Sequence, residues 1–88
     1  MNYRVEFEPA AEDDLARLDK VVSQQVMDKL GWLSDNAGLV RHKALTGQWR
    51  GVFSLQIGHY RALYKLDRSE HLIVVLLVKH RREVYETR

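Results

Sequence analysis

The chain has 88 residues, of which 14 are Lys or Arg, 12 are Asp or Glu and none is Cys. This length suits one domain, and the lack of cysteine excludes a disulfide framework, a thiolate nucleophile and a cysteine-based zinc site. The longest apolar run, at 72–78, has seven residues, whereas a membrane-spanning helix needs about 20. We therefore expect a single soluble domain over residues 1–88, located in the cytoplasm.

Charge is unevenly distributed along the chain, although the formal net charge is only +2. Residues 1–40 contain four basic and eight acidic side chains, a net charge of −4. Residues 41–88 contain ten basic and four acidic side chains, a net charge of +6, and also all four histidines. Such an asymmetry indicates a polyanionic partner for the C-terminal half.

The first predicted elements are a strand and two helices. Apolar and charged residues alternate at 3–8, which predicts a strand with one buried face. Pro9 suits the first turn of a helix over about 9–18, where its missing N–H would have had no partner. Asp19 can cap a second helix that ends near Asn36. The apolar residues of that helix recur every three or four positions, at Val22, Val26, Leu30 and Leu33.

A basic loop and three strands follow. Residues 39–51 combine three cations with two glycines and predict a connecting loop. Residues 53–57 alternate, Gly58 and His59 suit a type II′ turn, and the chain returns over 60–65. After a turn at 67–70, the aliphatic run at 72–78 predicts a central strand covered on both faces. The polar residues 79–88 should leave the end of this strand at the surface.

This element order predicts an α+β domain of β-α-α-β-β-β topology. Both N-terminal helices should pack on one face of a small, mainly antiparallel sheet, which leaves the other face unclaimed. Ser54, Gln56, Arg61 and Lys65 are expected on that open face. The register across the hairpin stays undecided, because Arg61 and Leu63 share a face by the period of two while Leu63 competes for the core.

Several motifs are spread over nearly the whole chain. They are YRVEFE at 3–8, AEDDLARL at 11–18, HKALTG at 42–47, GHYRALY at 58–64 and HRREVY at 80–85. In this order they resemble the RelE/ParE family of toxins from bacterial type II toxin–antitoxin systems. The resemblance implies a RelE-like, microbial-ribonuclease-like fold and a tight complex with an antitoxin. In the favoured RelE-like branch, it also implies ribosome-dependent cleavage of messenger RNA.

The resemblance also implies catalytic residues. Arg61 matches the family arginine that contacts the scissile phosphate, a contact to which the guanidinium fork is suited. Arg81 is expected to share its site, and Tyr85 to stack on or near the cut nucleotide. His80 is a candidate general acid or base, since histidine titrates near neutrality.

Further basic residues are candidates for RNA binding, namely Lys43, Arg50 and Arg82. The four histidines have no i, i+4 pairing, so we expect neither a metal site nor a cofactor. Trp32 is expected to pack on the sheet, and Trp49 either to pack on the meander or to stack on a base. The acidic residues 12–14 and His42 are expected at the surface.

Two positions depart from the family pattern. Ribosome-dependent members have lysines on the second strand where this chain has Ser54 and Gln56, and losing a preorganised charge commonly costs around 10² to 10³ in rate. Three alternatives therefore stay open. They are an endoribonuclease, a ParE-like toxin that inhibits DNA gyrase without cleaving RNA, and a non-toxic relative that only binds its antitoxin.

The partner prediction does not depend on the target. A largely uncovered sheet and a half-chain of charge +6 should bind an acidic, partly disordered segment that folds on binding. Under the resemblance this segment belongs to a cognate antitoxin. The ribosome and messenger RNA are the other expected partners, and no membrane is expected.

Overall fold

The computed structural model describes residues 2–86, with side chains for residues 2–83. Its strands are β1 (Arg4–Phe7), β2 (Lys43–Ala44), β3 (Phe53–Ile57), β4 (Tyr60–Asp67) and β5 (Leu72–His80), and its helices are α1 (Pro9–Arg17), α2 (Lys20–Asn36), a 3₁₀ helix (Gly47–Trp49) and α3 (Arg81–Glu86). The sheet order is β1-β5-β4-β3-β2, with β1 parallel to β5 and the other pairs antiparallel. This arrangement confirms the predicted α+β class and topology, and adds β2, the 3₁₀ helix and α3, which the sequence pattern did not predict.

The two N-terminal helices follow from their end residues. Pro9 opens α1, as predicted, and Leu18 adopts an extended conformation that ends it. The Asp19 side chain accepts a hydrogen bond of 2.9 Å from the Val22 N–H, which confirms the predicted cap and supplies one of the donors that a helix start leaves without a partner. No helix among residues 2–86 is long and apolar enough to cross a membrane.

The main core lies between α1, α2 and one face of the sheet. Its largest enclosed side chains include Val26, Leu30 and Leu33 of the predicted helix stripe, together with Tyr64. Full burial of one such apolar side chain contributes about 1.5–3 kcal/mol. Helix packing on this single face therefore accounts for most of the apolar burial.

A second, smaller cluster covers part of the other face of the sheet. Val52 and Leu63 are buried there, with Leu45, Trp49, Leu76 and Leu77 packed against them. The expectation that this face is unclaimed was thus wrong, because the segment 45–52 folds back onto it. This packing also places Trp49 on the meander, one of its two predicted positions.

The register of the hairpin resolves the competition for the core. Ser54 pairs with Leu63, Gln56 pairs with Arg61, and Gly58 takes the turn position with φ of 60°. Leu63 belongs to the second cluster, so it never competes with the strand β3 residues that face the helices. Ser54, expected at the surface, is only 6% exposed because that cluster encloses it.

Strand β5 lies between β1 and β4, an interior position consistent with its apolar composition. β1 ends opposite Val75, so it offers no backbone acceptor to the later residues of β5. There a side chain of α1 accepts the hydrogen bond instead. Asp14 accepts from the Val78 N–H at 2.9 Å and from Lys79 Nζ at 2.7 Å. Asp14 is therefore buried at 5% exposure, contrary to the expectation that residues 12–14 are solvated.

His42 was also expected at the surface, but it is half-buried between α2 and β4. Its Nε2 lies 2.8 Å from the Ala37 carbonyl oxygen, and its Nδ1 lies 2.5 Å from the Tyr64 hydroxyl. Because a carbonyl can only accept, Nε2 carries the proton, and the neutral ring accepts from the Tyr64 O–H. Burial raises the pKa of Tyr64 to about 12, against an opposing effect of Arg68.

The C-terminal residues differ most from expectation. β5 continues to His80 instead of ending within the apolar run, and a helix begins at Arg81. In an extended strand, Arg81 and Arg82 would lie on opposite faces, because side chains alternate along a strand. As consecutive residues of a helix they are about 100° apart instead, since an α-helix has about 3.6 residues per turn.

Candidate functional site

Arg61 lies on the face of the sheet opposite α1 and α2. Its neighbours Ala62 and Tyr64 point into the main core, while Leu63, two residues on, points into the second cluster. The alternation of β4 therefore directs Arg61 away from the helices. The side chain is half-buried, at the end of β4 that adjoins the 57–60 turn.

The Arg61 guanidinium is held by two side chains of β3. Nη1 donates to Ser54 Oγ at 3.1 Å, and Nη2 donates to Gln56 Oε1 at 3.4 Å. Gln56 is itself anchored, because its Nε2 donates to the Gly58 carbonyl at 3.2 Å. The two positions that lack the family lysines therefore orient the arginine across the hairpin.

Lys79 is a cation of this face that the sequence reading missed. It pairs in register with Arg61 from the neighbouring strand β5. Its Nζ lies 2.7 Å from Asp14 Oδ1, and its side chain is 28% exposed. Extension of the predicted strand by one residue beyond the apolar run at 72–78 would have included Lys79.

His80 ends β5 on the opposite face, since it pairs with Tyr60 rather than with Arg61. Its ring lies edge-on to that of Tyr60 at 5.4 Å and stacks on that of His59 at 6.1 Å. Nδ1 accepts from the Arg82 N–H at 3.3 Å, so a neutral ring carries its proton on Nε2. The structure thus does not bring His80 onto the face of Arg61, although both lie at the same end of the sheet.

The two arginines of α3 lie beside the hairpin turn. The Arg81 N–H donates to the His59 carbonyl at 2.8 Å, which ties the start of α3 to the turn two residues before Arg61. Both Arg81 and Arg82 are exposed. Tyr85 belongs to the same helix, and its side chain falls outside the described residues.

The loop cations take different positions. Lys43 is exposed in β2 and pairs in register with Ser54, the residue that holds Arg61. Arg50 is exposed immediately after the 3₁₀ helix, in the segment that covers the second cluster. Lys43 is therefore next to β3, the strand that holds Arg61, and is two strand spacings from β4, each about 4.8 Å in a sheet.

Other parts of the surface add no chemistry to this site. A cavity of about 610 Å³ lies at the opposite end of β4, lined by Lys65, Asp67 and Arg68 among others, and contains none of the predicted site residues. Within the described residues, no three His, Asp or Glu side chains are grouped so that they could hold a metal ion.

Taken together, the described residues form a cationic patch at one end of the sheet. Arg61 is its most constrained member, with Lys43 on one side and the start of α3 on the other. A guanidinium oriented in this way can bind a phosphate through parallel N–H···O bonds. The patch is suited to a polyanion.

Two comparisons by sequence match nearly the whole chain. A family model described as the ParE toxin of type II toxin–antitoxin system, parDE, matches residues 5–85. The curated protein Toxin RelG from Mycobacterium tuberculosis is 35% identical over 86 residues, which cover 97% of this chain and 98% of that protein.

Comparison by structure gives the same group of proteins. A chain of the toxin–antitoxin complex RelBE2 from Mycobacterium tuberculosis has a TM-score of 0.82 at 33% identity, with 91% of this chain and 99% of that chain covered. A free mutant of the E. coli toxin RelE has a TM-score of 0.77 at 22% identity, with coverage of 98% and 93%. The second match shows a shared fold.

Proposed function

The chain belongs to the RelE/ParE family of toxins of type II toxin–antitoxin systems, and from this membership we propose that it is a RelE-like, ribosome-dependent messenger RNA endoribonuclease. The observation that carries the proposal is the Arg61 guanidinium, held in a fixed orientation by Ser54 and Gln56. Orientation of a phosphate-binding group before substrate arrives lowers the barrier, because no reorganisation is then needed during reaction.

The proposed reaction is an in-line displacement at phosphorus. A base removes the proton of the 2′-hydroxyl, the 2′-oxygen attacks the adjacent phosphorus, and the bond to the 5′-oxygen breaks as an acid protonates that oxygen. The products are a 2′,3′-cyclic phosphate and a 5′-hydroxyl end. Charge accumulates on the non-bridging oxygens, and the guanidinium of Arg61 stabilises it there.

The other proposed roles belong to residues of the C-terminal segment. Arg81 supplies a second cation from the start of α3, and Tyr85 stacks on a base at the cut site. His80, the candidate acid or base, ends β5 on the face opposite Arg61, so we do not route the proton of the 5′-oxygen through it. Lys43, Arg50 and Arg82 bind flanking phosphates.

Translating ribosomes with purified protein provide the direct test. We expect new messenger RNA 5′ ends with free hydroxyl groups, and we expect an Arg61→Ala, Arg81→Ala double variant to produce none. Arg68→Ala serves as the matched control, because Arg68 is exposed in the turn after β4, at the end of the strand distant from Arg61. No cleavage above the double variant would overturn the proposal.

The proposed partner is an antitoxin with an acidic, partly disordered segment. The supporting observations are the net charge of +6 on residues 41–88 and the structural relative that is a chain of the toxin–antitoxin complex RelBE2. Ion pairing with this segment would neutralise the cations that the proposed reaction uses.

A ParE-like action on DNA gyrase is the second candidate. It is favoured by the family model, which is described as ParE, and by the uncharged residues Ser54 and Gln56. A supercoiling assay with excess protein separates the two, since only a gyrase inhibitor would stop it. Growth after induced expression, in turn, would identify a non-toxic relative.

A further inference from the structure

Trp32, expected to pack on the sheet, lines one cavity with Leu55 and Gln56 of β3. It lies in the C-terminal half of α2 with 42% of its surface exposed. Lys29, one turn earlier in the helix, places its Nζ 4.3 Å from the centroid of the indole ring. An exposed indole beside a cation is a surface on which a planar, electron-rich group can stack.

A cavity of about 220 Å³ opens beside this indole. The described residues that line it include three cations, Lys29, Arg41 and Lys43, and no carboxylate. Within residues 2–83, neither Arg41 nor Lys43 has an ion-pair partner. The cavity is below the ~300 Å³ at which pockets for drug-sized ligands begin, so its size suits one planar ring.

The cavity exists because the sheet has an incomplete edge. β2 is only two residues long, and it pairs with Phe53 and Ser54 but not with Gln56. Next to Gln56 the space that a longer strand would fill is instead bounded by α2 and by Arg41. An incomplete edge strand is thus combined with an aromatic ring and unpaired positive charge.

This cavity shares two lining residues with the Arg61 site. Gln56 lines the cavity and also accepts the hydrogen bond from Arg61 Nη2. Ser54, the second residue that holds Arg61, lines it as well. Arg61 and Trp32 lie on either side of β3, and β2 leaves the edge of β3 next to Gln56 unpaired. An RNA chain with a phosphate on Arg61 would pass around this edge to place a neighbouring nucleotide at Trp32.

We propose that this cavity is a nucleotide subsite for single-stranded RNA, in which a base next to the cut site stacks on Trp32. Arg41 and Lys43 bind the phosphate of that nucleotide. Lys29 stays above the indole ring of Trp32 and adds positive charge next to the phosphate. The assignment rests on the proposed ribonuclease function for its position in the substrate. Binding of RNA in the cavity does not require the ribonuclease function, so binding and cleavage are measured separately.

Fluorescence of Trp32 reports stacking directly. The chain has two tryptophans, so a Trp49→Phe background leaves Trp32 as the only strong emitter. We expect a hexamer of riboadenylate to quench it, and an abasic ribose-phosphate hexamer of equal charge to bind more weakly without quenching. Equal binding of both oligomers, or no quenching up to about 1 mM, above the usual non-specific range, would overturn the proposal.

Variants at the cavity separate stacking from charge. Trp32→Ala should weaken binding of the riboadenylate about 5- to 150-fold, the range for loss of one stacked base, and Trp32→Phe should restore part of it. Leu39→Ala is the matched control, because Leu39 is 87% exposed just beyond α2 and outside the cavity. If a glutamate peptide of equal charge binds as tightly as the riboadenylate and quenches the fluorescence of Trp32 equally, the cavity is an acidic-peptide site and the proposal is wrong.

Cleavage on ribosomes distinguishes failure of the subsite from failure of the proposed function. We expect Trp32→Ala to change the pattern of cut positions, while Arg61→Ala abolishes cleavage. Quenching by RNA without any cleavage by the wild-type chain would leave the subsite standing and reject the ribonuclease. Cleavage that depends on Arg61, with binding and cut positions unaffected by Trp32→Ala, would reject the subsite alone.

Discussion

At the scale of single residues, Ser54 and Gln56 have a different role from the one that their chemistry suggests. Judged by residue type, they are lost charges beside the arginine that we propose to be catalytic. In the fold they accept hydrogen bonds from both Nη atoms of that arginine. Ser54 and Gln56 supply no charge, but they can orient Arg61 because cross-strand pairs in a sheet lie only about 5 Å apart.

Ser54→Ala and Gln56→Ala should therefore lower messenger RNA cleavage about tenfold each, since a misplaced catalytic group commonly costs between ten- and 100-fold. Their independent signature is faster rotation of the Arg61 guanidinium, measured by ¹⁵N NMR of its Nη groups. Ser54→Thr keeps the hydroxyl and serves as the control. If Ser54→Lys raises cleavage instead of lowering it, the two residues are lost charges and not holders.

Tyr64 provides a second prediction at this scale. Burial raises its pKa from 10.0 to about 12, so the folded state favours the neutral phenol. The stability that this group contributes is complete below pH 10 and is lost as the pH rises through about 12. Urea unfolding at increasing pH should show this decline in the wild type.

Tyr64→Phe removes the ionisable hydroxyl and isolates its contribution. At neutral pH we expect a loss of about 1–2 kcal/mol, because His42 Nδ1 then has no donor. Between pH 10 and 12 the gap between the variant and the wild type should narrow. A constant gap would mean that the hydroxyl does not titrate in this range.

At the scale of secondary structure, β5 depends on a helix to complete its hydrogen bonds. β1 is too short to pair with the end of β5, and Asp14 of α1 accepts the Val78 N–H in its place. The same carboxylate balances the charge of Lys79. An acidic residue in a helix thereby substitutes for a strand.

Asp14→Ala should lower the free energy of unfolding by about 2–4 kcal/mol, because it leaves a buried N–H without an acceptor and Lys79 without its counter-charge. Asp14→Asn retains an acceptor and should cost less. The exposed neighbour Asp13 is the matched control, and Asp13→Ala should change stability by no more than about 0.5 kcal/mol. Urea titration followed by circular dichroism measures all three, and equal effects at both positions would contradict this account.

The elements that the sequence predicted are those with a local signal. Pro9, the Asp19 cap and the apolar stripe of α2 define two helices through contacts within a few residues. β2 and α3 have no such pattern, because their stability comes from pairing with β3 and from contacts with the hairpin. A two-residue strand and a six-residue polar helix are below the length at which periodicity indicates structure.

At the scale of the whole molecule, some cations form ion pairs with carboxylates and others do not. In the acidic half, Arg4 pairs with Glu6 at 3.2 Å and Arg17 with Asp14 at 3.4 Å. In the basic half, Lys79 also pairs with Asp14, whereas Lys43, Arg81 and Arg82 have no such partner within the described residues. We therefore expect Lys43, Arg81 and Arg82 to contribute most to binding of a polyanion.

The salt dependence of RNA binding should reveal this division. Substitution of glutamine for Lys43, Arg81 or Arg82 should reduce the slope of log K against log salt by about 0.7 each, the value for one phosphate contact on a single strand. Arg4→Gln and Arg17→Gln should leave the slope unchanged. Equal reductions in both groups would show that only total charge matters.

The sequence by itself determined the class of the fold, two helices with their ends, the strands of the meander and the sign of the net charge of each half of the chain. All of these depend on composition, periodicity or contacts between near neighbours. Only the tertiary structure decided what the open face of the sheet contains. Register, strand length and the folding back of segment 45–52 enclosed Ser54, oriented Arg61 and exposed Trp32. These properties arise from contacts between residues distant in the chain, for which a local pattern carries no signal.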